Sequence, residues 1–337
     1  MFDFVKTEKI VTFEPAFRLK QIKLAVFHDL IEDWREAKTL PAPLREKLQA
    51  NCPLDITGDI HISKDNKTVK AVFTLGDGLK IETVLLRHEK RNTICVSSQV
   101  GCALGCLFCA TGKAGFKRNL LAWEITNQVL FFARYLKKQG EKTGRVVFMG
   151  MGEPFLNYDN VIAAIKLLKD KDGFNLGARH FSISTIGVTE GIKKLAQEKL
   201  QINLAISLHA PDDKLRESLM PANKEYPLVF LLKEVGEYAK KTRRRVMFEY
   251  TMIKGVNDSE LQAGELAHLL KNQPLYFVNL ISFNPAGVFA RLDGFQSSSP
   301  AQIKKFKAAL EAAGVVVTER YRFGKEIKAA CGQLAGR

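Results

Sequence analysis

From residue 92 onward the chain repeats one pattern six times: a short apolar run, then a polar or amphipathic stretch. The runs are NTICVS (92–97), RVVFMG (145–150), HFSIST (180–185), NLAISL (203–208), RVMFEYTMI (245–253) and LYFVNLISF (275–283). Between them lie helical periods at 124–136, where Ile125, Val129, Phe132 and Leu136 share a face, and at 160–169, 191–198, 228–241 and 259–270. Strand-then-helix repetition predicts an α/β fold: a parallel sheet with right-handed crossovers, closed into a partial barrel or left open. In either form the loops at the strand C-termini build the site. Those loops are a cysteine-rich segment, GMGEP (150–154), STIG (184–187), SLHAP (207–211) and FNP (283–285).

Two extensions precede this core. Leu19, Ile22, Val26, Leu30 and Ile31 form a helical stripe, and a second helix starts after the prolines of LPAPLREKL, which predicts a small helical domain over 1–54. Residues 55–92 alternate and turn at KDNK and GDG, as about three antiparallel strands do. The core is expected over 93–290. A tail of helix, short strand and cysteine follows over 291–337.

Four of the six cysteines lie in CVSSQVGCALGCLFC (95–109). Cys102, Cys106 and Cys109 have CxxxCxxC spacing, and Gly101 and Gly105 let the chain wrap so that three thiolates can face one centre. Structural zinc calls for a fourth Cys or His nearby, and the nearest downstream histidine is His180. An iron–sulfur cluster with one iron free of protein ligands fits better. Cys52 matches no motif and reads as packing.

Charge narrows the partner. With 51 Lys and Arg against 36 Asp and Glu, the formal net charge is +15, which favours a polyanion. Basic clusters occur at Lys113, Lys117 and Arg118, at 193–194 and at 240–245, although each could also be a solvated helix face. No run of 18 apolar residues occurs, and the amino terminus lacks a signal-peptide core, so a cytoplasmic protein without membrane contact is expected. In that reducing compartment clustered thiols carry chemistry more often than disulfides.

The CxxxCxxC spacing with Phe108 before the last cysteine, followed by GMGEP after the second strand, resembles the radical S-adenosylmethionine (SAM) superfamily. The resemblance implies a radical SAM partial (βα)6 barrel. Cys102, Cys106 and Cys109 would hold a [4Fe-4S] cluster whose fourth iron is chelated by SAM. It also assigns SAM contacts to Gly152, Glu153, Ser184, Ser207, Leu208, His209 and Asn284; for His209 a packed strand-end histidine is the alternative.

Cys331 in AACGQLAG, read together with CVSSQVGC, makes almost the whole chain similar to the RlmN/Cfr family of RNA adenosine methyltransferases. In that family one SAM methylates a cysteine, here Cys331. A second SAM, two per turnover in all, yields a 5′-deoxyadenosyl radical that abstracts hydrogen from the S-methyl group, and the resulting methylene adds to adenine. The resemblance makes Glu82 the general base and Cys95 the resolving thiol, leaving a Cys95–Cys331 disulfide to be reduced. Without it, Glu82 reads as an exposed strand residue. The implied partners are 23S rRNA, tRNA as a further substrate, and an electron donor such as flavodoxin or ferredoxin, with the enzyme a monomer. Lys113, Lys117, Arg118 and the helical domain are the candidate RNA contacts.

GMGEP, with Pro154, resembles the adenine-C2 branch. STIG and the FG of RFGKEI (322–327) stand closer to the C8 branch, and Ser282–Phe283 depart from the proline and tryptophan common in C2 enzymes, so C8 methylation is the rival regiochemistry. A zinc-stabilised RNA-binding module without catalysis is the rival of another class.

Overall fold

The computed structural model describes residues 1–89, 91–285, 294–320 and 324–336. Arg322 and Phe323 of the RFG motif, and the boundary expected at 290, lie outside the described residues.

The strands are β1 (Asp59–Ile62), β2 (Thr68–Thr74), β3 (Lys80–His88), β4 (Arg91–Val96), β5 (Gln99–Gly101), β6 (Phe116–Asn119), β7 (Arg145–Phe148), β8 (Phe181–Thr185), β9 (Asn203–Ser207), β10 (Val246–Met252), β11 (Tyr276–Ser282) and β12 (Val317–Glu319). Ten of them form one sheet in the order β1-β2-β3-β4-β7-β8-β9-β10-β11-β12. Pairing is antiparallel from β1 to β4 and parallel from β4 to β12. The meander therefore continues directly into the first barrel strand.

The parallel section has seven strands among the described residues, one more than the six repeats predict. β12 pairs with β11 through Val278↔Val317 and covers an edge that would otherwise stay open. Its three residues follow helix Pro300–Ala312, too brief a run to stand out as a seventh repeat. β5 and β6 form a separate antiparallel ribbon that brackets the cysteine loop. β12 is the short strand expected in the tail, whereas the ribbon went unpredicted, since neither piece is long enough to alternate visibly.

Parallel strands buried on both faces should be apolar throughout, and Val146, Val147 and Phe148 of β7 and Val246, Phe248, Tyr250 and Met252 of β10 are all buried. Ser184 on β8 and Glu249 on β10 break the rule, and both line the lumen described below. Helix Ala122–Lys137 buries Ile125, Val129, Phe132 and Leu136 against the sheet.

The amino-terminal helices pack around Phe2, Phe4, Phe27 and Trp34, whose rings lie 5.4 to 6.3 Å apart where they meet. The expected single stripe is helix Phe17–Lys23, a wider π turn at Leu24–His28 and then a break at Leu30, which has φ +56°. Leu130 of the barrel helix completes this second core. The adjacent buried Arg134 donates to the Leu54 carbonyl (2.8 Å) and to that of Ile31. No helix among the described residues is long and apolar enough to cross a membrane.

Candidate active site

The loops at the strand C-termini enclose a cavity of about 160 Å³, joined along a shared wall to a second of about 110 Å³. The first is lined by Cys102, Cys106, Cys109, Gly152, Glu153, Ser184, Ser207, His209, Asn284 and Cys331. The second is lined by Cys95 and, again, Cys331. Two cysteines 236 positions apart in the sequence thus meet beside the three of the CxxxCxxC loop.

Local hydrogen bonds explain how the loops hold their shape. Gly101 has φ +75°, and a Cβ there would lie 1.7 Å from the Gly115 oxygen, so only glycine lets β5 turn into the cysteine loop. Gly152 has φ +97° and rests against Gln99, whose Cβ would be 2.5 Å from an added methyl. Ser98 N–H donates to the Met151 carbonyl (2.8 Å) and Glu153 N–H to Gln99 Oε1 (2.8 Å), lacing GMGEP to the segment that leads into the cysteines. The tail docks on the same loop. Ala110 N–H donates to the Gly332 carbonyl (2.8 Å) and Thr111 Oγ1 to that of Leu334 (2.6 Å), while Gln333 Nε2 donates to Pro285 (2.8 Å).

The Glu153 carboxylate is buried and accepts from the N–H groups of Phe155 (3.0 Å) and Ile186 (2.9 Å). Burial outweighs those bonds and raises its pKa to about 7. His209 has φ +61°, meets Phe108 edge-on at 4.9 Å and accepts from Thr251 N–H at Nδ1 (3.0 Å). Burial, helped by the charge of Arg216, lowers its pKa to about 3, so the ring is neutral with the proton on Nε2. Burial likewise pushes the Cys95 thiol up to about 12, with Cys331 adding to the rise, and raises Cys331.

Other predicted residues stand elsewhere. Leu208 packs into the core, its N–H donating to the Glu249 carbonyl (3.1 Å). Glu82 is buried rather than exposed, because β2 and β4 flank β3 on both sides; its carboxylate lies 3.7 Å from Lys70 Nζ, two residues along β3 from Val84, which lines the second cavity. Lys113 closes the short helix after Cys109, and Lys117 is exposed on β6. Arg118 is already matched by two carboxylates, Asp77 (2.6 Å) and Glu124 (2.8 and 2.9 Å).

Two wall residues were missed. Glu249 accepts from Ser184 Oγ (2.7 Å) and from Arg320 (3.0 Å), and Arg320 also lies 3.6 to 3.7 Å from Met149 Sδ. The thiolate charge of Cys331, then Glu249 and Cys95, raise the Arg320 pKa. A lone carboxylate in the middle of RVMFEYTMI was a usable signal for Glu249; Arg320 offered none.

Residues 96–266 match the model of the Radical SAM superfamily. A protein of Dictyoglomus thermophilum named probable dual-specificity RNA methyltransferase RlmN is 46% identical over 321 residues, 95% of this chain and 91% of that protein. The chain belongs to the RlmN family of radical SAM RNA methyltransferases. The ribosomal RNA large subunit methyltransferase N of Nitrosopumilus maritimus is 46% identical over 94% of this chain and 92% of its own length. The crystal structure of a radical SAM methyltransferase from Sphaerobacter thermophilus superposes with a TM-score of 0.94 at 42% identity, covering 99% of this chain and 97% of that one.

Radical SAM enzymes of the RlmN family take a [4Fe-4S] cluster and SAM, and the donor set here suits both. Burial lifts the Cys102 thiol to about 12 and that of Cys106 well above the usual range, with neighbouring thiolates adding to each rise, so deprotonating these sulfurs calls for a cationic metal core. Among the described residues no three His, Cys, Asp or Glu side chains converge on a single ion. The sulfurs of Cys102, Cys106 and Cys109 line one shared cavity, as residues that hold the corners of a polynuclear cluster must. A buried carboxylate at Glu153 fits the amino group of SAM.

Proposed function

We propose that the chain methylates C2 of an adenine in 23S rRNA at the peptidyl-transferase centre, and of the adenosine 3′ to the anticodon in tRNA. The methyl carbon travels on Cys331. The observation that carries this reading is the convergence of Cys331 and Cys95 on a cavity shared with Cys109. Relatives named as dual-specificity RNA and large-subunit rRNA methyltransferases support the substrate.

C2 of adenine is an electron-poor carbon with no nucleophilic lone pair, so it cannot displace a methyl group from SAM directly. When bound, the cluster and SAM supply the electron, the methyl group and the hydrogen-abstracting fragment. Cys102, Cys106 and Cys109 hold the metal. Glu153, with Gly152, Ser184, Ser207, His209 and Asn284, orients SAM, and Leu208 supports that wall from behind. Cys331 Sγ takes the methyl and presents its carbon to the base, and Glu82 removes the ring proton from the adduct, which also gives up one electron, for which the bound cluster would serve as acceptor. The Cys95 thiolate then attacks Cys331 Sγ. The carbon–sulfur bond breaks, the product methyl gains a proton, and the two cysteines end as a disulfide that an external thiol must reduce.

The basic excess suits RNA phosphates, and the target base must leave its stack to reach the cavity. Lys113, Lys117 and the amino-terminal helices are the proposed contacts, and Arg118 contributes less because its charge is spent on Asp77 and Glu124. The electron donor is a flavodoxin or ferredoxin, and the enzyme acts as a cytoplasmic monomer. Incubating the protein with an unmodified 23S rRNA fragment, reductant and SAM, then digesting to nucleosides for mass spectrometry, tests this. 2-Methyladenosine is expected; 8-methyladenosine would overturn the regiochemistry, and no methylated nucleoside would overturn the activity.

A further inference from the structure

Helix Asp213–Leu219 carries one buried charge that the reaction above leaves unused. Arg216 is 0% exposed, yet its guanidinium donates only to neutral acceptors. Nε reaches the Leu208 carbonyl (3.1 Å). One terminal nitrogen reaches Asn223 Oδ1 (2.5 Å) and the Tyr226 carbonyl (3.2 Å), and the other the Ser207 carbonyl (3.2 Å) and that of Ile186. All five N–H donors are used and none meets a carboxylate. A buried charge with no partner is costly, so its counter-charge must lie beyond these bonds.

Asp213, three residues back on the same helix, has its carboxylate engaged by Asn223 Nδ2 (2.8 Å) and Leu228 N–H (2.9 Å). Burial lowers the Arg216 pKa to about 10, and the charge of the Cys106 sulfur, ahead of that of Asp213, opposes the fall. The same helix grips the cysteine loop directly: Leu107 N–H donates to the Leu219 carbonyl (3.0 Å), and Met220 stands with Cys106 on the cavity wall.

We propose that Arg216 is the buried counter-charge of the iron–sulfur cluster and, through the Ile186, Ser207 and Leu208 carbonyls, the positioning residue that laces the loops after β8 and β9 to it. The inference rests on the reading that Cys102, Cys106 and Cys109 hold the cluster. Three thiolates leave such a centre net negative, and one-electron reduction adds a further negative charge. A fixed cation on the helix that grips the cysteine loop therefore stabilises the reduced form more than the oxidised one and raises the reduction potential.

The test is an anaerobic redox titration of the reconstituted full-length protein without SAM, followed by electron paramagnetic resonance, with iron content measured alongside. Arg216→Met should keep its iron and shift the reduction equilibrium about tenfold toward the oxidised form, ~59 mV for one electron. Arg216→Lys, which keeps the charge but loses most of the lacing, should stay close to wild type. An unshifted Arg216→Met, or an Arg216→Lys shifted as far as Arg216→Met, refutes the counter-charge. Loss of iron from Arg216→Met alone supports it, and loss from both variants refutes it in favour of lacing only. A wild-type protein that takes up no four-iron cluster overturns the functional reading and this inference together.

Discussion

Replacing Arg320 by Met should slow alkylation of Cys331, by an amount that follows from how the guanidinium is held. Its Nη1 lies 3.0 Å from Glu249 Oε1, with the Arg320 side chain 23% exposed and that of Glu249 6%. Burial raises the Cys331 thiol, Arg320 is the largest influence opposing that rise, and Glu249 reinforces it. A nearby cation lowers an acid by roughly 1 to 3 pKa units, each worth ~1.36 kcal/mol. Partial exposure and the pairing with Glu249 place Arg320 at the weak end of that range. Below the thiol pKa each unit changes the thiolate fraction tenfold, so Arg320→Met should react about tenfold more slowly with iodoacetamide at pH 8. Glu249→Gln should react faster than wild type. Timed alkylation of cluster-loaded protein, read on the unmethylated Cys331 peptide by mass spectrometry, measures both. Equal rates in wild type and Arg320→Met, with melting curves unchanged, would refute the reasoning.

Three further outcomes follow from the same geometry. Cys95→Ala should accumulate a covalent protein–RNA adduct, visible as a shifted band on a denaturing gel; product release at the normal rate would remove its resolving role. Glu153→Gln should weaken SAM binding roughly 10- to 100-fold, the scale of a charge-assisted hydrogen bond of about 1.5 to 3 kcal/mol. Because burial holds the Glu153 carboxyl protonated below about pH 7, wild-type affinity measured by calorimetry should climb as pH rises through that value, while the variant stays flat. Gly152→Ala combines φ +97° with a methyl 2.5 Å from Gln99 Cβ, a strain of about 1 to 3 kcal/mol; it should lower the melting temperature and impair SAM binding, and an unchanged melt would contradict that.

What was legible in the sequence was what the chain encodes locally. The three cysteines lie within eight residues and their loop glycines beside them, so spacing alone pointed to a shared centre, and all three line one cavity. The strand-then-helix alternation likewise located the barrel and its five loops. Cys331 acquired a role only through family resemblance, because nothing near it indicates that Thr111 and Ala110 will hold the tail against the cysteine loop. Glu82 looked exposed because alternation on β3 cannot reveal that neighbouring strands cover it on both sides. Arg216 and Arg320 were invisible for a related reason. Each sits among ordinary charged residues and becomes distinctive only through partners brought from distant loops.

The measurement closest to the central claim uses SAM bearing a trideuterated methyl group, with RNA product analysed as nucleosides. Carriage of the carbon by Cys331 removes one deuterium before the base is attacked and restores one proton from solvent at release. The account predicts a product methyl with two deuteriums and one protium. A methyl that arrives with all three deuteriums would mean direct transfer and would contradict it.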